Sequence, residues 1–160
     1  MKLIVGWFSF TCSEDSTIVF TELLNDHFDQ WKNLIEFRHL NALKMNNQLD
    51  YFDVAFIEGA ISSPTQAEKA KLIREKAKYV VAIGACACTG KPSDSRNSIP
   101  KAQRDYQMLW YYSQFDYSDQ VRKLDEVIKV DDYVRGCPMD QKLFLQVMDK
   151  YLKLFKIIYA

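Results

Sequence analysis

The sequence predicts an α/β fold, a mostly parallel sheet with helices on both faces, in one domain spanning residues 1–160. Three observations predict it. Short apolar runs rich in β-branched residues alternate with stretches whose apolar residues recur at helical spacing, which is the pattern of βαβ units. The runs are continuously apolar, as strands buried on both faces are, where half-exposed strands alternate apolar with polar residues. The length of 160 residues suits one domain with a core that needs no disulfide or structural metal, and no internal repeat, linker or low-complexity segment divides it.

The elements follow in order. "LIVGWF" (3–8) reads as the first strand, and residues 16–31 as a helix with Ile18, Phe20, Leu23, Leu24, Phe28 and Trp31 at helical spacing. Ser13 and Ser16 offer N-cap hydroxyls there, and Glu14 and Asp15 favour the positive end of the helix dipole. "LIEFRHL" (34–40) and "DVAFIEGA" (53–60) read as strands, 63–78 as an exposed helix, and "YVVAIGAC" (79–86) as a strand. A polar, Pro-bearing loop over 90–105 precedes an aromatic helix over 106–115, expected to pack on the domain or on a partner. "EVIKV" (126–130) reads as a short strand, and 139–156 as a closing helix with Pro138 and Asp140 near its start.

Charge excludes some partners. Lys and Arg together number 21, as do Asp and Glu, so no basic footprint marks a nucleic-acid or anionic-membrane binder. "MKLIVGWF" is too short for a signal-peptide core, and no later stretch approaches the roughly 18 uncharged apolar residues of a membrane span. A cytoplasmic chain is expected. Aromatic residues make up 14% of the sequence, more than one domain readily hides, so an obligate partner is one explanation.

In a cytoplasmic chain, four unevenly spaced cysteines suggest metal binding or redox chemistry more than disulfides. Cys12 follows the first strand, Cys86 and Cys88 end the "VVAIGACAC" run, and Cys137 follows "EVIKV". In a parallel sheet these positions share the carboxyl edge, where open α/β sheets bind ligands. Gly59, Gly84 and Gly136 stand at three of these strand ends, allowing positive φ or the close approach of a bulky group. A lone strand-end cysteine is ordinarily a small buried hydrophobe. Cys88 fits that description best, because it alternates with Cys86. The Cys-Ala-Cys spacing lacks the separation of a zinc ribbon.

"FTCSEDS", "FIEGAI", "AIGACACTG" and "RGCPMD", in this order over nearly the whole chain, resemble the iron-sulfur domain shared by nickel-iron hydrogenase small subunits and the small cluster-bearing subunit of respiratory complex I. The resemblance implies a flavodoxin-like three-layer sandwich. It also implies one 4Fe-4S cluster of the proximal type, held in that family by two first-loop cysteines, a Gly-x-Cys-Ala cysteine and a Gly-Cys-Pro cysteine. By resemblance these fall on Cys12, Cys86 and Cys137, with Glu58 at the family's glutamate position near the cluster and the large-subunit interface.

One thiol is missing. The partner of Cys12 is Ser9 under a Cys-x-x-Cys alignment and Ser13 under an adjacent-cysteine alignment. Four thiolates are the normal complement of a cubane cluster. The open alternatives are ligation by Ser9 or Ser13, substitution by Cys88, a site-differentiated iron carrying water, hydroxide or an external ligand, or a 3Fe-4S cluster. Asp15 and Glu14 are further oxygen donors, read first as serving the helix N-terminus. A second departure is Lys91, where many relatives have another glycine, so the loop 91–97 is expected to pack differently on its partner. No cysteine-rich C-terminal extension for further clusters is expected.

The expected function is that of a one-cluster electron-transfer subunit of a cytoplasmic nickel-iron hydrogenase or hydrogenase-like oxidoreductase. The hydrogen chemistry would lie on a nickel-iron centre in a partner large subunit, and electrons would pass through a further electron-transfer subunit. The alternative is a cluster-free structural subunit that scaffolds the large subunit. His27 and His39 belong to no motif and read as structural or surface residues.

Overall fold

The computed structural model describes residues 1–158. Five strands, β1 (Leu3–Ser9), β2 (Ile35–Leu40), β3 (Phe52–Glu58), β4 (Ala77–Ile83) and β5 (Asp132–Val134), form one sheet in the order β2-β1-β3-β4-β5. Every neighbouring pair is parallel. This is the flavodoxin-like doubly wound order, and its winding reverses between β1 and β3. Six helices complete the three layers: α1 (Asp15–Asp26), α2 (Phe28–Leu34), α3 (Pro64–Lys76), α4 (Gly84–Thr89), α5 (Lys101–Gln114) and α6 (Gln141–Leu154).

Strand side chains alternate between two apolar layers because successive Cβ atoms point to opposite faces. Trp7, Val54, Phe56, Val81 and Ile83 pack with Phe20 and Leu23 of α1, Trp31 of α2, and Phe144, Met148 and Tyr151 of α6. Phe8, Ala55, Ile57, Val80 and Ala82 pack on the other face with Ala67, Ala70 and Ile73 of α3 and with Ala87 and Cys88 of α4. Gly6 has no room for a side chain, since a Cβ would stand 2.6 Å from Phe8 Cε2 and 2.9 Å from Phe52 Cδ1. Helix starts are set by side chains: Ser63 accepts Gln66 N–H at the head of α3, followed by Pro64 at the first helical position, and Asp140 accepts Leu143 N–H at the head of α6.

Several boundaries differ from the sequence reading. The helix expected over 16–31 is two helices, broken at His27, whose N–H bonds to Leu23 O while its carbonyl accepts from Gln30 and Trp31. The second helix then runs directly into β2, ending at Leu34 immediately before Ile35. Phe28 and Ile18, expected on the core face, are exposed.

The strand expected over 79–86 ends at Ile83, because Gly84 at φ 79° takes the chain out of the extended conformation and into α4. Cys86 and Cys88 therefore stand on one helical turn, not on a strand. "EVIKV" is not a strand. Leu124–Glu126 forms a 3₁₀ turn that buries Leu124 and Ile128 beneath the sheet, and β5 begins only at Asp132, after Asp131 N–H bonds to Val80 O. Of the β-branched residues there, Ile128 is buried, and Val127 and Val130 pack partly buried against the same layer. The aromatic helix starts at Lys101, five residues early, and it does not pack on the domain with its aromatic face: Tyr106 and Trp110 are 84% and 61% exposed, and Arg104 is its one buried residue. Among the described residues, no helix is long and apolar enough to cross a membrane.

Candidate metal centre

The first loop is fixed by a crossing. Thr11 N–H bonds to Ala60 O at 3.0 Å, and Ala60 N–H returns to Thr11 O at 2.9 Å. The crossing passes so close to Gly59 (φ 94°) that a Cβ there would lie 2.8 Å from Phe10 C and 2.9 Å from Thr11 N. Only glycine fits that backbone and that contact. Cys12 is thereby delivered directly above the end of β3.

Glu58, at the end of β3, then holds the start of α1. Its carboxylate accepts Ser16 N–H at 3.0 Å, Thr17 N–H at 3.1 Å and the Thr17 hydroxyl at 2.7 Å. Glu14 precedes the helix in the left-handed region (φ 62°) with no cap bond from its own side chain. The strand-end carboxylate supplies what the local sequence does not, satisfying orphan N–H groups at the positive end of the helix dipole. Trp7 Nε1–H also bonds to Thr17 Oγ1, at 2.9 Å, so the buried glutamate sits in a closed polar network.

Two further segments reach the same place. Ala85 N–H bonds to Gly136 O at 2.7 Å, tying the start of α4 to the loop after β5. Gly136, at φ 118°, turns so tightly that a Cβ would stand 2.5 Å from Pro138 O. Together Cys12, Cys86 and Cys137 line one cavity with Ser13, Asp15, Ser16, Glu58, Gly84 and Gly136. It lies at the carboxyl ends of β1, β3, β4 and β5, at the switch point of the sheet.

The thiols differ in surroundings. Cys12 is half-buried, and burial followed by the Glu58 charge pushes its pKa up to about 12. Cys137 is exposed, with Sγ 3.8 Å from Asp15 Oδ2, and loss of hydration followed by the Asp15 charge raises its pKa. Cys86 is buried, and the Ser93 hydroxyl stands 3.3 Å from its Sγ. In such surroundings Cys12 and Cys137 stay protonated at neutral pH unless a cation displaces the proton. Among the described residues, no three His, Cys, Asp or Glu side chains converge as ligands of a single ion. Three soft sulfur donors spread around a cavity, with a hydroxyl beside them, are a donor set suited to thiophilic metals, among them zinc, copper(I) and iron-sulfur groups.

The remaining candidates separate. Ser13 lines the cysteine cavity, whereas Ser9 lines a different one with Trp7, Glu14, Thr17, Asn41 and Ala42, its Oγ 3.4 Å from Thr17 Oγ1. Cys88 points into the apolar layer beside α3, its Sγ donating to Ala82 O at 3.5 Å and Val134 O at 3.7 Å, and burial pushes its pKa up to about 11. Sequence reasoning missed Ser93 and Thr17, and gave Ser16 the role of an N-cap hydroxyl, whereas its Oγ accepts Met139 N–H and its own N–H bonds to Glu58. No local pattern marks Ser93, which lies in a polar loop. Thr17 reads as an ordinary first-turn residue until Glu58 is placed against it.

Residues 12–151 match the family model described as the NADH ubiquinone oxidoreductase 20 kDa subunit. The chain is 28% identical over 137 residues to the gamma subunit of coenzyme F420 hydrogenase from Methanosarcina barkeri, a match covering 83% of this chain and 45% of that one. It is 25% identical over 114 residues to the delta subunit of the NAD-reducing hydrogenase HoxS of Cupriavidus necator, covering 60% and 53%. These and similar matches span between 34% and 53% of the curated relatives' own length. The fold superposes on a chain from a crystal structure of an NAD+-reducing NiFe hydrogenase in the H2-reduced state with a TM-score of 0.81 at 19% identity, covering 100% of this chain and 96% of that chain. With the family model matched over nearly the whole chain and the motifs in order along it, this protein belongs to the NADH ubiquinone oxidoreductase 20 kDa subunit family, the family of hydrogenase and complex I small subunits.

Proposed function

We propose that this chain is the electron-transfer small subunit of a hydrogenase or hydrogenase-like oxidoreductase and holds one iron-sulfur cluster in the switch-point cavity. One observation carries the reading: three thiols from three separate segments, the loop after β1, the first turn of α4 and the loop after β5, line a single cavity at the carboxyl edge of the sheet. When bound there, the cluster supplies one-electron chemistry. Cys12, Cys86 and Cys137 are its thiolate donors, and Ser13 offers an oxygen at the fourth corner. The places of Ser9 beside Thr17 and of Cys88 in the apolar layer favour Ser13 over either. Glu58 holds the first turn of α1 and thereby the loop that carries Cys12.

The same proposal includes a partner large subunit bearing a nickel-iron centre, a further electron-transfer subunit and a cytoplasmic setting; the hydrogenase subunits among the relatives and the likeness to a chain of a NiFe hydrogenase support the first of these. The test is anaerobic purification with whatever co-purifies, followed by iron and acid-labile sulfide analysis and electron paramagnetic resonance. About four irons per chain with a reduced-state signal support a cubane completed at the serine corner, and about three with an oxidised-state signal support a vacant corner.

A second reading, the cluster-free scaffold, is favoured by one feature, the serine where the family has a thiol. A folded, partner-bound chain with no iron and no sulfide would select it.

A further inference from the structure

We infer that Ser93 is a positioning residue that raises the electron affinity of the cysteine site through a hydrogen bond to Cys86 Sγ. The inference rests on the cluster reading above. Ser93 Oγ lies 3.3 Å from Cys86 Sγ and 3.2 Å from Thr11 O, so one hydroxyl proton has two acceptors, on two of the three cysteine-bearing segments. A neutral carbonyl competes for that proton with a sulfur. Once the sulfur is a thiolate, the bond to it is charge-assisted and wins.

The loop holds Ser93 over the site by contacts remote from it. Asn97 pairs both ways with the Val121 backbone, Nδ2–H to Val121 O at 2.6 Å and Val121 N–H to Oδ1 at 2.9 Å. Arg96 donates to Ser118 O at 2.6 Å, and Asp94 N–H bonds to Gly90 O at 2.8 Å. The segment from Lys91 to Asn97 is thus clamped onto residues 118–121, with its serine turned inward.

The chemistry is a one-electron reduction without bond making or breaking. The electron, supplied in the test by a chemical reductant, makes the thiolate sulfurs more negative. An O–H donor aimed at one of them stabilises that reduced form over the oxidised one. Removing the donor weakens electron uptake.

Redox titration followed by electron paramagnetic resonance, on the anaerobically purified complex, compares the parent with Ser93→Ala, Ser93→Thr and Asn97→Ala. At a fixed ambient potential the reduced-to-oxidised ratio falls about threefold to tenfold in Ser93→Ala, tenfold being about 59 mV for one electron. Ser93→Thr keeps the hydroxyl and stays within about twofold of the parent. Asn97→Ala releases the loop without touching a cysteine and shifts the ratio in the same direction as Ser93→Ala. Should Ser93→Ala fail to load iron, Asn97→Ala decides, and its titrating with the parent would overturn the inference. So would equal shifts in Ser93→Ala and Ser93→Thr, which would make the effect steric. Iron present with an unchanged ratio sinks the role of Ser93 alone, whereas a parent without iron sinks it together with the cluster reading.

Discussion

Glu58 accepts both the backbone N–H and the hydroxyl of Thr17, at 3.1 and 2.7 Å, so the carboxylate ending β3 caps a helix from a different part of the chain. Removing it leaves Ser16 N–H, Thr17 N–H and the Thr17 hydroxyl without their acceptor in a buried position. Hydrogen bonds to a charged group contribute about 1.5–3 kcal/mol, so Glu58→Ala is expected to cost about 2–3 kcal/mol. Glu58→Gln keeps one acceptor oxygen and is expected to cost about half that. Urea or thermal unfolding reads the difference, and a loss below about 0.5 kcal/mol in Glu58→Ala would mean the cap contributes little.

The four cysteines are expected to fall into two classes. Cys86→Ala and Cys137→Ala remove donors from the shared cavity and abolish bound iron, while Cys88→Ala removes a sulfur from the apolar layer and leaves iron unchanged. Cys88→Ala lowers stability by about 1 kcal/mol through lost packing. Iron per chain, measured side by side with the unfolding midpoint, separates the classes, and iron loss in Cys88→Ala would place its thiol among the donors.

Ser13 and Ser9 are distinguished by gain rather than loss. Ser13→Cys adds a fourth thiol to the cavity that holds the other three and is expected to bring the iron content to about four with a reduced-state signal typical of four thiolates. Ser9→Cys places its thiol beside Thr17 and leaves iron and spectrum as in the parent. The opposite pattern would assign the fourth corner to Ser9.

His39 gives the fold a pH dependence away from the cysteines. Its ring stacks on Phe8 at 4.1 Å and its Nδ1–H donates to Trp7 O at 3.0 Å. Burial holds its pKa below the ordinary 6.5 against that bond, with Lys69 and Lys44 acting in the same direction as burial. The folded state therefore binds fewer protons than the unfolded state between the two pKa values. Stability is complete above about 6.5 and declines as pH falls below it, levelling off below the folded-state pKa. Urea midpoints between pH 7.5 and 5 are expected to slope less in His39→Gln than in the parent, and equal slopes would remove His39 as the cause.

Some of this molecule is written locally. The continuous apolar run through Val54, Ala55, Phe56 and Ile57 reads as a strand buried on both faces, and alternation of such runs with helical spacing points to parallel crossovers. The place of Cys12, Cys86 and Cys137 at one edge follows from that alternation, and the four motifs in order suffice for the family. Boundaries were less legible where one composition serves two conformations. Val127, Ile128 and Val130 have strand chemistry, yet Leu124 and Ile128 are buried from a 3₁₀ turn.

What only tertiary structure decided is which side chains meet. Ser9 and Ser13 are equivalent in sequence, but the crossing of Thr11 over Gly59 turns one toward Thr17 and leaves the other at the cavity. Alternation correctly separated Cys88 from Cys86, but for a reason that does not hold, since both stand on one turn of α4 after Gly84 ends the strand. The role of Glu58 required β3 to lie against the start of α1, and Ser16 Oγ accepts Met139 N–H from 123 residues further along. Periodicity is set by neighbours a few residues apart and can be read from the sequence. A polar contact depends on the packing of segments whose separation along the chain carries no information about their distance in space.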